Sequence, residues 1–419
     1  MTCQIIPPYL LERLGRSTEI DELIRTRRAR PSAIAPITSG AAWEVHDAEN
    51  GSTLPGALVR TAGQAEVADV SVDEAATGVT ETLALYTDYG RSSYDGAGAT
   101  VVVSVHYEKD YDNAFWDGTQ LVFGDGDGTI FGRFTKPIDV IGHELSHALT
   151  ERTANLTYQG QSGALNESMS DVFGACVKQR HLGQDAASAD WLVGEGIFVA
   201  GIEGRALRSM DAPGTAYDDP QLGKDPQVGD MADYVDTTDD NGGVHTNSGI
   251  PNRAFALAAT AVGGDSWSGA GQIWFDALTS GLAADTDFAT FAAATVAAAG
   301  DHGGAVREAW TTVGVTAGAV TAPSPAPSAS REVEVVRSGG FAGLRKQGSL
   351  DLASADPRAP RARELVDRID FAQAARTSSG QPHPDGFTYH FRCRGDECTV
   401  PEHALTDDQR HLARLLLDD

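Results

Sequence analysis

His143 and His147 stand four residues apart in DVIGHELSHALTER, residues 139–152, with Glu144 beside the first of them. Four residues advance about 400° along an α-helix, so two imidazoles at this spacing share one face and can grip a single zinc ion. Glu144 then sits where a carboxylate can work on a water at that metal. Pro137, with Thr135 just before it, suits a helix start and predicts a helix over 137–152. The competing reading is an ordinary helix that carries two histidines, and the motif alone leaves both open.

A catalytic zinc needs a third protein ligand and an open fourth position. Twenty residues after His147, GALNESMSDVFGA has the pattern of a second helix and offers Glu167 as that ligand. Asn166 and Asp171 can accept the remaining N–H of the two histidines and so fix their tautomers. A third stretch, DNGGVHTNSGIPN (240–252), puts His245 in a Gly-rich turn rather than on an apolar face, with Asp240 five residues ahead to hold its ring. Each stretch alone passes for a capped helix or a turn; three in this order point to a zinc hydrolase.

HELSH, NESMSD and DNGGVHTNSG, together with DNAFWDGTQLVFGDGDG at 112–128 and LRSM at 207–210, resemble the thermolysin-like metallopeptidases over most of 50–315. The resemblance implies a mainly β N-terminal lobe, a mainly α C-terminal lobe, and the zinc helix between them. It implies zinc on His143, His147 and Glu167, and Glu144 as general base. It further implies that His245 and Tyr158 stabilise the oxyanion, that Asp240 orients His245, and that Asn113 and Ala114 hold the substrate backbone as an added strand. Arg208 would sit at the pocket after the scissile bond. Phe131, Phe134, Val140, Val193 and Leu207 match that pocket's apolar lining, which implies cutting before bulky hydrophobic residues.

One departure bears on metals. Asp139, Asp190 and Glu195 match three ligands of the calcium pair common in this family, but two other ligand positions read Lys178 and Leu192. An ammonium at Lys178 repels calcium and can itself neutralise those acids, so the calcium pair is expected to be absent.

The elements that must position these residues follow from the pattern along the chain. Residues 50 to about 135 read as short β-type runs between Gly- and Asp-rich turns, and 137 to about 315 as mostly helical and Ala-rich. TAGAVTAPSPAPSAS is a Pro/Ala/Ser linker, and 331–419 reads β, helix, β, helix. The expected fold class is α+β: a two-lobed body plus a small α+β C-terminal domain. The expected domains are a leader at 1–49, a β-rich catalytic lobe at 50–155, a helical lobe at 156–316, a linker at 317–330 and the C-terminal module at 331–419.

The 419 residues carry a net charge of −27. Residues 31–330 hold 13 basic and 40 acidic side chains, while 331–419 hold 13 and 15, so the acid lies in the body. Such a surface repels phosphate backbones, and nucleic acid is excluded as a partner. The N-terminal apolar run is broken by Glu12 and Arg13, which predicts a protein without a secretory signal, made in the cytoplasm, with secretion by a signal-independent route as the alternative. No stretch is long and apolar enough to predict a membrane span, and a monomer is expected. Among the four cysteines, Cys176 lies in an apolar helical pattern, Cys393 and Cys398 flank RGDE in a hairpin pattern, and Cys3 is a candidate zinc-binding thiolate against the commoner inert case.

The two ends carry resemblances of their own. QIIPPYLLERL at 4–14 is similar to the short leader of protealysin-type enzymes, which implies a propeptide that covers the site and is removed by self-cleavage, with cut sites expected at 45–55. EVEVVRSGGFAGL, a helix ending in IDF, and FTYHFRCRGDECTV are similar to the emfourin family, which implies a built-in inhibitor of the peptidase. The reading is a zinc endopeptidase zymogen with a tethered inhibitor-like module. Two other classes are a catalytically idle zinc protein, whose mark would be loss of Glu144 or His245, and a latent regulator of a different protease.

Overall fold

β1 (Trp43–Asp47), β2 (Ala57–Thr61), β3 (Val101–Val105), β4 (Ala114–Trp116) and β5 (Leu121–Phe123) make one sheet in the order β2–β1–β3–β5–β4. The β1–β3 and β3–β5 pairs are parallel, and the outer pairs are antiparallel. VVVSV of β3 is buried at every position, as suits a central strand covered on both faces. β4 closes one edge of the sheet. This computed structural model describes residues 4–16, 40–318, 332–339, 344–352, 354, 356–366, 368–369, 387–393 and 396–417. The expectations for Cys3 and for most of the linker fall outside those residues.

The β-type reading of 50–135 is corrected at Val70–Asp88, a helix (α2) of 19 residues. Asp69 caps its first turn by accepting the Val72 N–H at 3.2 Å. Val72, Ala75, Ala76 and Val79 are buried, the spacing of a helix face. The cut sites expected at 45–55 also need correction. β1 lies between β2 and β3, so a cut inside it would split the sheet, and a leader boundary at 49 would remove a paired strand.

Before these strands, Pro8–Arg13 forms a short helix (α1) with Pro at its first turn. After them come α3 (Ile138–Glu151) and α4 (Gly160–Leu182), the latter closed by left-handed Gly183. A Cβ on Gly142 would lie 3.0 Å from the Gly174 Cα, and one on Gly174 would lie 2.5 Å from the Asp139 carbonyl oxygen. Two glycines at the crossing thus let α3 and α4 touch backbone to backbone. β6 (Leu192–Val193) pairs with β7 (Arg208–Ser209), and β8 (Asp218–Asp219) with β9 (Gly223–Lys224). The helices α5 (Asp240–Asn247), α6 (Gly249–Val262), α7 (Ala270–Leu278), α8 (Phe288–Ala298) and α9 (Gly303–Thr312) complete a helical lobe after the strand-rich one. Trp274 and Trp310, both fully buried, stack in its core with centroids 6.1 Å apart.

The chain divides into two compact units, 1–320 and 321–419. The second has its own core around Val333, Leu350, Leu365, Phe391 and Leu412. It is a four-stranded antiparallel sheet, with β10 (Glu332–Gly339), β11 (Leu344–Asp351), β12 (Phe387–Cys393) and β13 (Asp396–Pro401) in the order β11–β10–β12–β13. Among the described residues, the helices α10 (Ala359–Val366) and α11 (Asp407–Leu417) accompany it. It is therefore richer in strands than the expected β, helix, β, helix. The register pairs Cys393 with Asp396 and Cys398 with Phe391, so the two cysteines are not cross-strand partners.

Candidate active site

α3 brings His143 and His147 to one face with their Nε2 atoms 3.0 Å apart. The crossing at Gly142 and Gly174 sets Glu167 of α4 against them, its carboxylate 3.6 Å from His143 Nε2 and 3.9 Å from His147 Nε2. Each imidazole is tied at Nδ1: His143 to Asp171 Oδ1 at 2.8 Å, His147 to Asn166 Oδ1 at 2.9 Å. Asn166 is itself oriented by donating Nδ2–H to the Leu156 carbonyl at 3.1 Å. With both Nδ1 atoms donating, two Nε2 lone pairs and a carboxylate converge within 4.8 Å in a buried space. Such a donor set repels itself unless a cation lies among its members. Two imidazoles and one carboxylate fit zinc.

Electrostatics agree with this arrangement. Burial alone would raise the Glu167 carboxyl, but His245, His147 and His143 draw it down to about 2. Burial acts likewise on Asp171, and Arg208 and His143 hold it well below the usual carboxylate range. Arg208 grips Asp171 through Nε at 2.8 Å and Nη2 at 2.7 Å, a bidentate pair at full burial.

His245 reaches the same space from α5. Asp240, Asn241, Gly242 and Gly243 all take positive φ, between 48° and 85°, folding the chain so that Asp240 comes back onto His245. Asp240 accepts from His245 Nδ1 at 2.8 Å and from its backbone N–H at 3.0 Å. Burial would lower the His245 pKa, yet Asp240 and Glu167 raise it to about 9. Tyr158 OH donates to Glu167 and lies 3.4 Å from His245 Nε2. Glu144 is fully buried and accepts the Trp116 N–H at 3.0 Å from β4.

The leader occupies the cleft. Gln4 bridges Phe115 in antiparallel sense, and Ile5 N–H donates to the Ala114 carbonyl at 3.2 Å, so the leader lies along the β4 edge as an extra strand. Asn113 accepts the Ile6 N–H at 3.0 Å and returns Nδ2–H to the Ile6 carbonyl at 3.3 Å. Arg208 Nη1 donates to the Ile5 carbonyl at 3.1 Å, and His245 Nε2 lies 3.2 Å from the Gln4 carbonyl. Ile5, Ile6, Leu10 and Leu11 are buried, and Arg16 pairs with Asp112 at 3.1 Å and with Asp127.

Phe131, Phe134, Val140, Val193 and Leu207 are buried in the cluster that also holds Ile5, and the Phe131 and Phe134 rings lie 5.7 Å apart. Lys178 donates to Asp190 at 2.9 Å, to the Leu192 carbonyl at 3.2 Å and to Glu195 at 3.2 Å, and stands 4.0 Å from Asp139. Burial pushes the Asp139 carboxyl up to about 6, although Lys178 and the Gly194 N–H draw it down. Burial likewise lifts the Cys176 thiol to about 12 beside Tyr89 and Ser266.

Sequence reasoning missed a supporting layer. Asn252 donates to Asp171 Oδ2 at 2.8 Å, Ser170 Oγ lies 3.0 Å from His147 Nδ1, and Gln227 Nε2 donates to the His245 carbonyl at 3.0 Å. Asn252 left a signal: it is the last residue of the third stretch, an amide near the start of an Ala-rich apolar helix. Gln227 left none.

Comparison with known proteins places this geometry. The thermolysin metallopeptidase catalytic domain matches residues 38–151, its alpha-helical domain matches 154–315, and emfourin matches 335–417. The chain is 49% identical over 335 residues to an extracellular metalloprotease of Pectobacterium carotovorum, spanning 75% of this chain and 96% of that protein. It is 40% identical over 300 residues to thermolysin of Alicyclobacillus acidocaldarius, spanning 66% of this chain and 52% of that one. The precursor of protealysin from Serratia proteamaculans superimposes with a TM-score of 0.68 at 51% identity, covering 75% of this chain and all of that one. These relatives overturn the expectation of a cytoplasmic protein. Besides the Pectobacterium enzyme, an extracellular minor metalloprotease of Serratia marcescens is 63% identical over 128 residues, 30% of this chain and 36% of that protein. Two histidines and a glutamate converging across a helix crossing, in a chain matched over both catalytic lobes, place it in the thermolysin metallopeptidase family of zinc metalloendopeptidases.

Proposed function

We propose that this chain is the zymogen of an extracellular endopeptidase that cuts before bulky hydrophobic residues. The observation that carries the reading is the leader in the cleft. Its Gln4 carbonyl lies against His245, its Ile5 carbonyl accepts from Arg208 and its Ile5 N–H donates to the β4 edge, the course an extended substrate would take.

His143, His147 and Glu167 would hold the zinc, which when bound supplies a Lewis acid and draws the pKa of a coordinated water toward about 7. Glu144, buried beside β4, is the general base and carries the proton to the leaving amine. His245 and Tyr158 donate to the substrate oxygen as it gains charge, an effect worth about 3 kcal/mol per donor. Asp240 holds His245 as the imidazolium that this task needs. Asn113 and Ala114 clamp the backbone, and Arg208 anchors the carbonyl after the scissile bond. Phe131, Phe134, Val140, Val193 and Leu207 line the pocket that selects the residue there.

In this reading residues before Trp43 are a self-removed propeptide, and 331–419 is an inhibitor-like module on a Pro/Ala/Ser tether. Lys178 takes the place of the calcium pair, and the enzyme works as a monomer on protein or peptide substrates. Intact mass over time tests the proposal, on purified wild type and Glu144→Ala. Loss of the leader by the wild type alone supports it; loss by both assigns the cut to another protease and sinks self-processing.

A further inference from the structure

The second unit carries a pocket of about 250 Å³ that the peptidase site does not involve. Its walls bring together Arg337 from β10 and Arg410 and Arg414 from α11. Four residues apart on a helix, Arg410 and Arg414 share one face, and both are exposed. Arg337 is steadied by stacking its guanidinium over the Phe387 ring, 4.6 Å from the centroid. The floor is apolar: Tyr389, Leu405 and Leu417 are each no more than 8% exposed. Among the described residues Glu402 is the one acid of the lining, set against three arginines. Among the described residues, Arg358 pairs with Asp356 and Arg368 with Asp408, and neither pair draws on the pocket arginines.

Two arginines one turn apart repel each other, and a third facing them adds to that cost. A built arrangement of this kind is relieved by an anion. Guanidinium forks bind carboxylates bidentately, while the Tyr389 and leucine floor suits an aliphatic side chain beside the charge. We propose that this pocket is a carboxylate-recognition site that takes an acidic peptide segment with a neighbouring apolar residue. Charge supports a peptide over a phosphate polymer: the body of this same chain, 31–330, holds 40 acidic against 13 basic residues and repels nucleic acid. The site stands on this unit's own geometry and does not depend on whether the unit restrains the peptidase.

The test is fluorescence anisotropy of a labelled Ala-Leu-Asp-Asp peptide titrated with the full chain. Glu144→Gln is carried in every sample so that nothing is cut. Saturable binding is expected, weakened at least tenfold in Arg410→Ala/Arg414→Ala and unchanged in Arg368→Ala, a paired arginine outside the pocket. The Asn-Asn analogue with a free C-terminus, and the Asp-Asp peptide as its C-terminal amide, tell side-chain from terminal carboxylates. Arg410 and Arg414 are exposed, so the double variant should fold, which its circular dichroism melt checks. No saturable binding, or equal weakening by Arg368→Ala, would overturn the proposal.

Discussion

The carbonyl oxygen of Gln4 lies 3.2 Å from Nε2 of His245, whose Nδ1 is bound to Asp240 at 2.8 Å. A carbonyl only accepts, and so does a carboxylate, so this ring donates from both nitrogens and is an imidazolium. The leader has put a peptide carbonyl on the donor proposed for the substrate's own.

Loosening that strand should speed maturation. Ile6→Pro deletes the N–H that Asn113 accepts at 3.0 Å. Losing such a hydrogen bond costs about 1 kcal/mol, so leader loss followed by intact mass should quicken about fivefold. An unchanged rate would mean that this bond does not hold the leader in place.

The legible parts of the molecule were those with chemistry or strict periodicity. α3 could be read from Pro137 and its histidine spacing, and the zinc site from three polar clusters in otherwise apolar or Gly-rich surroundings. α2 escaped because Val70, Val72, Val79, Thr80 and Thr82 look like strand residues. Its helix is decided by the Asp69 cap and by packing on α3, where a Cβ on Gly78 would come within 2.4 Å of Ile141. β11 escaped because LRKQGSLD has no apolar alternation to show. The docking of Gln4 on Phe115 is tertiary, and nothing in either residue announces it.

Lys178 offers a test of the calcium expectation. Lys178→Met leaves Asp139, 1% exposed, without its cation beside Asp190 and Glu195. Breaking one partner of a buried ionic cluster should destabilise the catalytic unit by about 3 kcal/mol. Millimolar calcium should restore part of this in the variant and leave the wild-type Tm unmoved. A wild-type Tm that climbs with calcium would count against the replacement.

His106 sets a pH dependence. It joins Asp125 at 2.6 Å to Asp69, the cap of α2, at 3.2 Å. The Asp125 hydrogen bond, with both carboxylate charges, raises its pKa to about 9 against partial burial. A folded pKa above the unfolded value of about 6.5 means the clamp is fully present below that pH and fades as pH rises through about 9. His106→Asn keeps a residue tolerant of the positive φ of 52° found there. Its Tm should fall about 2 °C below wild type at pH 6, and the gap should close by about pH 10. A constant gap would place the effect in packing instead.

Removing 331–419 should raise the activity of leader-free enzyme about tenfold, since a tethered module acts at high effective concentration. Peptide hydrolysis with and without the module reads this directly. Equal rates would mean the module serves another target.

The leader grips the cleft with groups that it carries itself: the backbone of Gln4, Ile5 and Ile6, the apolar Leu10 and Leu11, and the charged Arg16. None of these is lost when the chain is cut. The severed piece should then act as a competitive ligand present at one copy per enzyme, with dilution rather than cleavage alone setting the moment of release. A crowded preparation should mature yet stay quiet, and wake on being diluted.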